Sequence, residues 1–180
     1  QDIYNYFEKY IKMAQGISID EIKWKITSEE SQIMLNVLKN IRKAYPDKII
    51  TVWSKDEWYD SDIMLLRAIE NYADIFIPEM YISESRAKKY GFGRFKKSIG
   101  KLQKQMPGIL EKTLIGISVH PDMNNQPDID FGTHIIKQIQ LIKTDPLLRK
   151  VRGIAIYAPV YLSAEDQARI DMVIKKYFSR

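Results

Sequence analysis

The chain of 180 residues contains no cysteine, which excludes disulfides, thiolate metal sites and cysteine nucleophiles. It also lacks long apolar runs: the stretches Ile49 to Trp53 and Leu114 to Val119 stop far short of the roughly 20 residues a membrane span requires. No long polar linker, low-complexity tract or internal repeat interrupts it. Methionine is missing from the start, and no basic segment followed by an apolar one precedes the first helix. The expectation is that a segment was removed or left out ahead of Gln1.

Neither sign of charge dominates. The 28 Lys and Arg are met by 23 Asp and Glu, for a net charge of +5. Only Arg86 to Lys104 is locally basic, with Arg86, Lys88, Lys89, Arg94, Lys96, Lys97, Lys101 and Lys104 around Tyr90, Phe92 and Phe95. Such a stretch raises binding to nucleic acid or another anionic polymer, but a solvated helix face is the simpler reading, and nucleic acid is not the expected partner.

With 45% hydrophobic and 28% charged residues, the chain has the balance of a compact globular domain over residues 1–180, able to bury roughly 70% of its unfolded surface. Short runs rich in Ile, Val and Phe occur at Ile17 to Ile22, Ile49 to Ser54, Ile75 to Tyr81, Leu114 to His120 and Ile154 to Val160. Their length and composition predict five strands. Helical stripes lie between or after them: Ile33, Val37, Leu38 and Ile41; Ile135, Ile139 and Ile142; Ile170, Val173, Ile174 and Tyr177. Another helix is expected near Asp2 to Ala14. Thr27 with Glu30 has capping-box spacing, Ser163 with Asp166 is an acidic version, and Pro46 and Pro146 follow helices that should stop there.

This alternation predicts an α/β fold of parallel (β/α) units. A segment of a (β/α)₈ barrel and a small open sheet both fit the order, and the strand faces separate them. Ile17 and Ile19 oppose Ser18 and Asp20, Ile115, Ile117 and Val119 oppose Gly116, Ser118 and His120, and Ile154 and Ile156 oppose Ala155 and Tyr157. One aliphatic face and one small or polar face suit a barrel wall better than a doubly wound sheet, whose central strands are apolar on both faces. The reading is therefore a barrel segment of about five strands. Five strands do not close a standard barrel, so a preceding segment or a second chain would supply the rest.

Residues at the carboxyl ends of these strands are acids, aromatics and a histidine: Asp20 and Glu21, Trp53 with Asp56, Glu79 and Tyr81, His120 and Asp122, Tyr157 and Tyr161. Parallel α/β folds place their ligand sites there. Carboxylates beside aromatic platforms suit sugars, because two carboxyl groups work on a glycosidic bond while aromatic faces cover the apolar side of a pyranose.

On these residues the chain resembles glycoside hydrolases built on TIM barrels, and more loosely their chitinase-like group. Gly16-Ile17-Ser18-Ile19-Asp20-Glu21 is similar to the fourth barrel strand of that group, which ends in a series of acids, and Pro78-Glu79-Met80-Tyr81 to the sixth, with its Met-x-Tyr. His120 would then end the seventh strand and Tyr157 the eighth. The resemblance departs where Asp20 and Glu21 are adjacent rather than separated by one residue, and where Ser18 replaces an earlier acid. It implies hydrolysis of an oligo- or polysaccharide with no metal or organic cofactor; the compartment stays open, with a secreted or periplasmic setting the expectation. Glu21 would be the general acid, Asp20 its orienting neighbour, and Glu79 or Asp122 the second carboxylate. Trp53, Tyr81, His120, Asp122 and Tyr157 would hold the sugar. The alternative is a glycan-binding or interaction domain without catalysis.

Plainer roles stand beside these. Asp20 and Glu21 have the chemistry of helix-capping loop residues, Trp53 and Tyr81 of core packing, and His134, beside Ile135, of a structural or exposed helix residue. His120, Asp122 and Glu79 lack the close spacing of a metal motif. Gly91 and Gly93 lack the strand and third glycine of a phosphate loop, and no nucleophile-elbow motif marks a serine hydrolase.

Overall fold

Thr27 marks the helix start that its spacing predicts. Its hydroxyl accepts from the Glu30 N–H at 3.1 Å, while the Glu30 carboxylate accepts from the Thr27 N–H at 2.7 Å. Two N–H groups that a helix start leaves unpaired are thereby satisfied, and helix α1 follows over Ser28–Ala44. The computed structural model describes residues 14–22, 27–55 and 63–178. Over these the order is β1 (Gly16–Ile22), α1, β2 (Ile49–Lys55), α2 (Ile63–Tyr72), β3 (Ile75–Glu79), α3 (Glu84–Tyr90), α4 (Gly93–Gln105), β4 (Leu114–Ser118), α5 (Phe131–Thr144), β5 (Gly153–Tyr157) and α6 (Ala164–Phe178). The helix expected from Asp2 falls, up to residue 13, outside the described residues.

The five strands form one parallel sheet in chain order, β1-β2-β3-β4-β5. The α/β class and the parallel (β/α) units are as the sequence predicts. The order runs without the reversal that defines a doubly wound sheet. Contacts divide the chain into two compact units, residues 1–78 with 101–113, and residues 79–100 with 114–180.

In the first unit, β1 pairs with β2 in parallel, Ile17 opposite Ile50 and Ile19 opposite Val52. Ile50 and Val52 are fully buried, as are Leu38 and Ile41 of α1 and Ala68 of α2. Ile33 is 44% exposed, against expectation. At 100° per residue it lies about 100° around the helix from the centre of the face formed by Ser31, Val37, Leu38 and Ile41. A bulge breaks the register between Ile19 and Ile22, so that Ile22 meets Ser54; strict alternation does not carry through Asp20 and Glu21.

In the second unit, β4 pairs with β5 from Leu114 opposite Gly153 to Ser118 opposite Tyr157. Ile115, Ile117, Ile135, Ile139 and Ile170 are fully buried, and Ile142 almost so. In α6 only Ile170 of the predicted stripe is buried, Val173, Ile174 and Tyr177 being half-buried. Ser163 caps this helix by accepting from the Asp166 N–H at 3.1 Å. Helices α1 and α5 stop at Ala44 and Thr144, two residues before Pro46 and Pro146, as proline's missing N–H requires.

Three strands end earlier than the apolar runs suggest, at Glu79, Ser118 and Tyr157 rather than Tyr81, His120 and Val160. At the last of these the cause is local. Ala158 adopts left-handed angles, φ 62° and ψ 44°, and Pro159 opens a short 3₁₀ turn through Tyr161.

Candidate functional site

The site is built on β4, where alternation separates two faces. Ile115, Ile117 and Val119 point into the core and are fully buried, leaving Gly116, Ser118 and His120 on the opposite side. Register partners in a parallel sheet point the same way. Glu79 is opposite Gly116, Gly116 opposite Ala155, and Ser118 opposite Tyr157. Glu79 therefore sits one rung below Tyr157 on a common face, and it is half-buried.

Above that rung lies a pocket of about 220 Å³ lined by Tyr81, Ser118, His120, Asp122, Met123 and Tyr157. The Tyr81 and Tyr157 rings stack with centroids 5.6 Å apart and planes 20° apart. Tyr157 is 46% exposed, which leaves much of its ring for a ligand. Tyr161 meets the His120 ring edge-on at 5.0 Å.

Hydrogen bonds fix the histidine. Ser118 Oγ accepts from the His120 N–H at 3.1 Å, and His120 Nδ1 accepts from the Asp122 N–H at 3.3 Å, capping the 3₁₀ turn Pro121–Met123. Asp122 Oδ2 lies 3.3 Å from the same Nδ1. An accepting Nδ1 places the ring proton on Nε2; a protonated ring would instead donate from Nδ1 to the Asp122 carboxylate. Ser118 bonds the backbone rather than the imidazole, so Ser118, His120 and Asp122 do not form a nucleophile–base relay.

The segment after His120 is tied down at its far end. Asn125 Oδ1 accepts from the Ser85 N–H at 3.0 Å, Glu84 Oε2 accepts from the Gln126 N–H at 2.9 Å, and Lys88 pairs with Asp128 at 2.7 Å. The Lys88 bond holds the Asp128 carboxyl below the usual carboxylate range. Asp130 caps α5 and takes two bonds from Arg169, which together hold its carboxyl far below that range. Lys96 does the same for Asp145.

His134 is the structural histidine that its place on an apolar helix suggests. It is 3% exposed, with Nε2 2.9 Å from the Ile82 carbonyl oxygen and 3.1 Å from Gln138 Nε2. Burial pushes its pKa below the ordinary histidine value, against smaller upward effects from Ile82 and Glu84. In the basic stretch Phe95 is fully buried and Phe92 stacks on it, while Tyr90 is 70% exposed. Gly91 ends α3 with φ 62°; its glycine serves a helix terminus rather than a phosphate.

Of the residues singled out in the sequence, Tyr81, His120, Asp122 and Tyr157 come together around one pocket, with Glu79 on the adjoining rung. Asp20 and Trp53 belong to the first unit, where Asp20 is exposed and Trp53 half-buried. Glu21 lies in β1, but its side chain is outside the described residues, as is Asp56. Among the described residues no three His, Asp or Glu side chains group to hold a metal ion, so His120, Asp122 and Glu79 do not make one. No described helix is long and apolar enough to cross a membrane.

Sequence reasoning passed over Ser118 and Met123 as pocket residues and Glu84 as a buried acid. Ser118 carried a signal, since Ser118, His120 and Asp122 recur with period two. No model of a known protein family matches the chain, and no curated protein matches it.

Proposed function

We propose that the chain is part of a glycoside hydrolase on a TIM-barrel-like scaffold, binding an oligo- or polysaccharide at its strand ends and cleaving it by carboxylate general acid/base chemistry. One observation carries the reading: stacked Tyr81 and Tyr157 stand with His120, Asp122 and Ser118 around a pocket on the face that bears Glu79. Aromatic rings cover the apolar face of a pyranose while polar groups take its hydroxyls. The chain-order sheet supports the barrel, because right-handed βα units added side by side build a barrel wall. Further strands, from the same polypeptide or a second chain, would complete it.

In this mechanism Glu79 and Asp122 are the carboxylates of the unit that holds the pocket, while Glu21, beside Asp20, and Trp53 keep the acid and sugar-holding roles that the resemblance implies for them. The bulge between Ile19 and Ile22 supports a role for this stretch, since bulges re-aim side chains next to active sites. One carboxyl must be kept protonated by its surroundings while its partner stays ionised. Glu79→Gln and Glu21→Gln are each expected to lower release of reducing ends from an oligosaccharide panel by roughly 10²- to 10⁴-fold. Undiminished turnover in either variant removes that residue from the mechanism.

A second reading, sugar binding without hydrolysis, is favoured by the exposure of Asp20 and Asp122, the latter 80% exposed at its side chain. A carboxyl open to water lacks the enclosing surroundings that a general acid requires. Here Tyr157→Ala abolishes binding, and the unsubstituted protein binds sugars without cleaving them.

A further inference from the structure

The pocket is poor in positive charge within a chain rich in it. Lys and Arg number 28, yet among the described residues none lines the cavity formed by Tyr81, Ser118, His120, Asp122, Met123 and Tyr157. The one carboxylate among these is Asp122. His120 stands beside it and accepts from the Asp122 N–H at Nδ1. Two basic side chains of the same unit are already engaged, Lys88 with Asp128 and Arg169 with Asp130 and Asp166.

We propose that this pocket takes uncharged and amino sugars and rejects uronic-acid and sulfated ones, with Asp122 as the residue that sets the discrimination; this rests on the sugar-binding reading above. A ligand carboxylate or sulfate entering the cavity gives up hydration and finds no guanidinium or ammonium to replace it. It also approaches the Asp122 carboxylate. A sugar ammonium, by contrast, exchanges water for a charge-assisted hydrogen bond to Asp122. Hydroxyl groups of any sugar find Ser118 Oγ, the His120 ring and the tyrosine hydroxyls. Because Asp122 is 80% exposed at its side chain, water screens its field, and the discrimination is about 3- to 10-fold rather than thousands-fold.

The test is a titration of the whole chain, followed by backbone amide NMR shifts, with methyl glycosides of glucose, glucosamine, glucuronic acid and glucose 6-sulfate and their galactose counterparts. The expected order within each series is amino sugar at least as tight as neutral sugar, with uronate and sulfate weaker by about 3- to 10-fold. Asp122→Asn, at an exposed position that burial does not constrain, is expected to bring the ratios of charged to neutral sugar towards one. Uronate or sulfate binding as tightly as the neutral sugar overturns the proposal, as do ratios unmoved by Asp122→Asn. No shift with any sugar overturns the sugar-binding reading itself and the selectivity with it.

Discussion

Tyr81 and Tyr157 touch across an intervening strand. Tyr81 follows β3 and Tyr157 ends β5, with β4 between them in the sheet, so their backbones are separated by roughly two strand spacings, about 9–10 Å. Their rings nonetheless stack at 5.6 Å. The contact spans the face that β4 lines at this height with Gly116 and Ser118, and a larger side chain at Ser118 would occupy the same space.

Tyr157→Ala removes one half of this bridge. The expected cost is about 0.5–1.5 kcal/mol for the ring pair, read as a lower midpoint in urea, together with loss of sugar-induced amide shifts around the pocket. Tyr157→Phe keeps the stack and should restore stability. Equal stability of the alanine and phenylalanine variants would show that the ring pair contributes nothing to the fold.

Arg42 ties together two connections of the first unit, 46–48 and 72–74. Its guanidinium donates to the carbonyl oxygens of Pro46 at 2.8 Å, Lys48 at 3.0 Å and Tyr72 at 3.1 Å, and pairs with Asp74, which also accepts from the Ile50 N–H at 2.8 Å. Arg42→Lys should cost about 2–3 kcal/mol in denaturant unfolding, because one ammonium does not reproduce a planar fork that reaches several acceptors. A loss below about 0.5 kcal/mol would place these bonds among the replaceable surface contacts.

The buried His134 gives stability a dependence on pH whose sign follows from its depressed pKa. Above the ordinary histidine value of 6.5, ring and unfolded chain are both neutral. As pH falls through that value, the unfolded chain binds a proton that the folded chain takes up only at lower pH, and stability falls. Asp130 and Asp145, both lowered by cationic partners, add a second loss as pH falls through 3.8 and below. Urea midpoints measured between pH 8 and pH 5 should decline for the parent chain and lie nearly flat for His134→Gln; parallel slopes would rule His134 out as the source.

Ala158 occupies the left-handed region without the freedom of glycine. Relief of about 1–2 kcal/mol of steric cost in Ala158→Gly is partly offset by roughly 0.4–1 kcal/mol of added freedom in the unfolded chain, so the variant should be slightly more stable. Ala158→Val, β-branched, should melt several degrees lower. The pair of melting curves checks both signs.

The sequence exposed what depends on neighbours along the chain. Period-two faces set Ile115, Ile117 and Val119 apart from Gly116, Ser118 and His120, and the three aliphatic residues are buried; the spacing of Thr27 and Glu30 located a helix start. The parallel topology then brought Tyr81, His120, Asp122 and Tyr157 to one end, where strand ends collect ligand residues. What stayed hidden depends on other segments. Glu84 looks like an ordinary acid in a first helical turn, and its burial comes from the later segment whose Gln126 N–H it accepts. The bulge after Ile19 and the left-handed turn at Ala158 leave no mark in hydrophobic pattern.

Every strand of the sheet lies next to the one synthesised just before it. β1 has its β2 partner once the chain reaches Ile49, and β4 its β5 partner once Gly153 emerges. Each of these pairings closes a loop set by one intervening βα connection, Gly16 to Ile49 or Leu114 to Gly153, and not by the length of the whole chain. Among the described strands, a sheet of this order grows along a single advancing edge, from β1 towards β5.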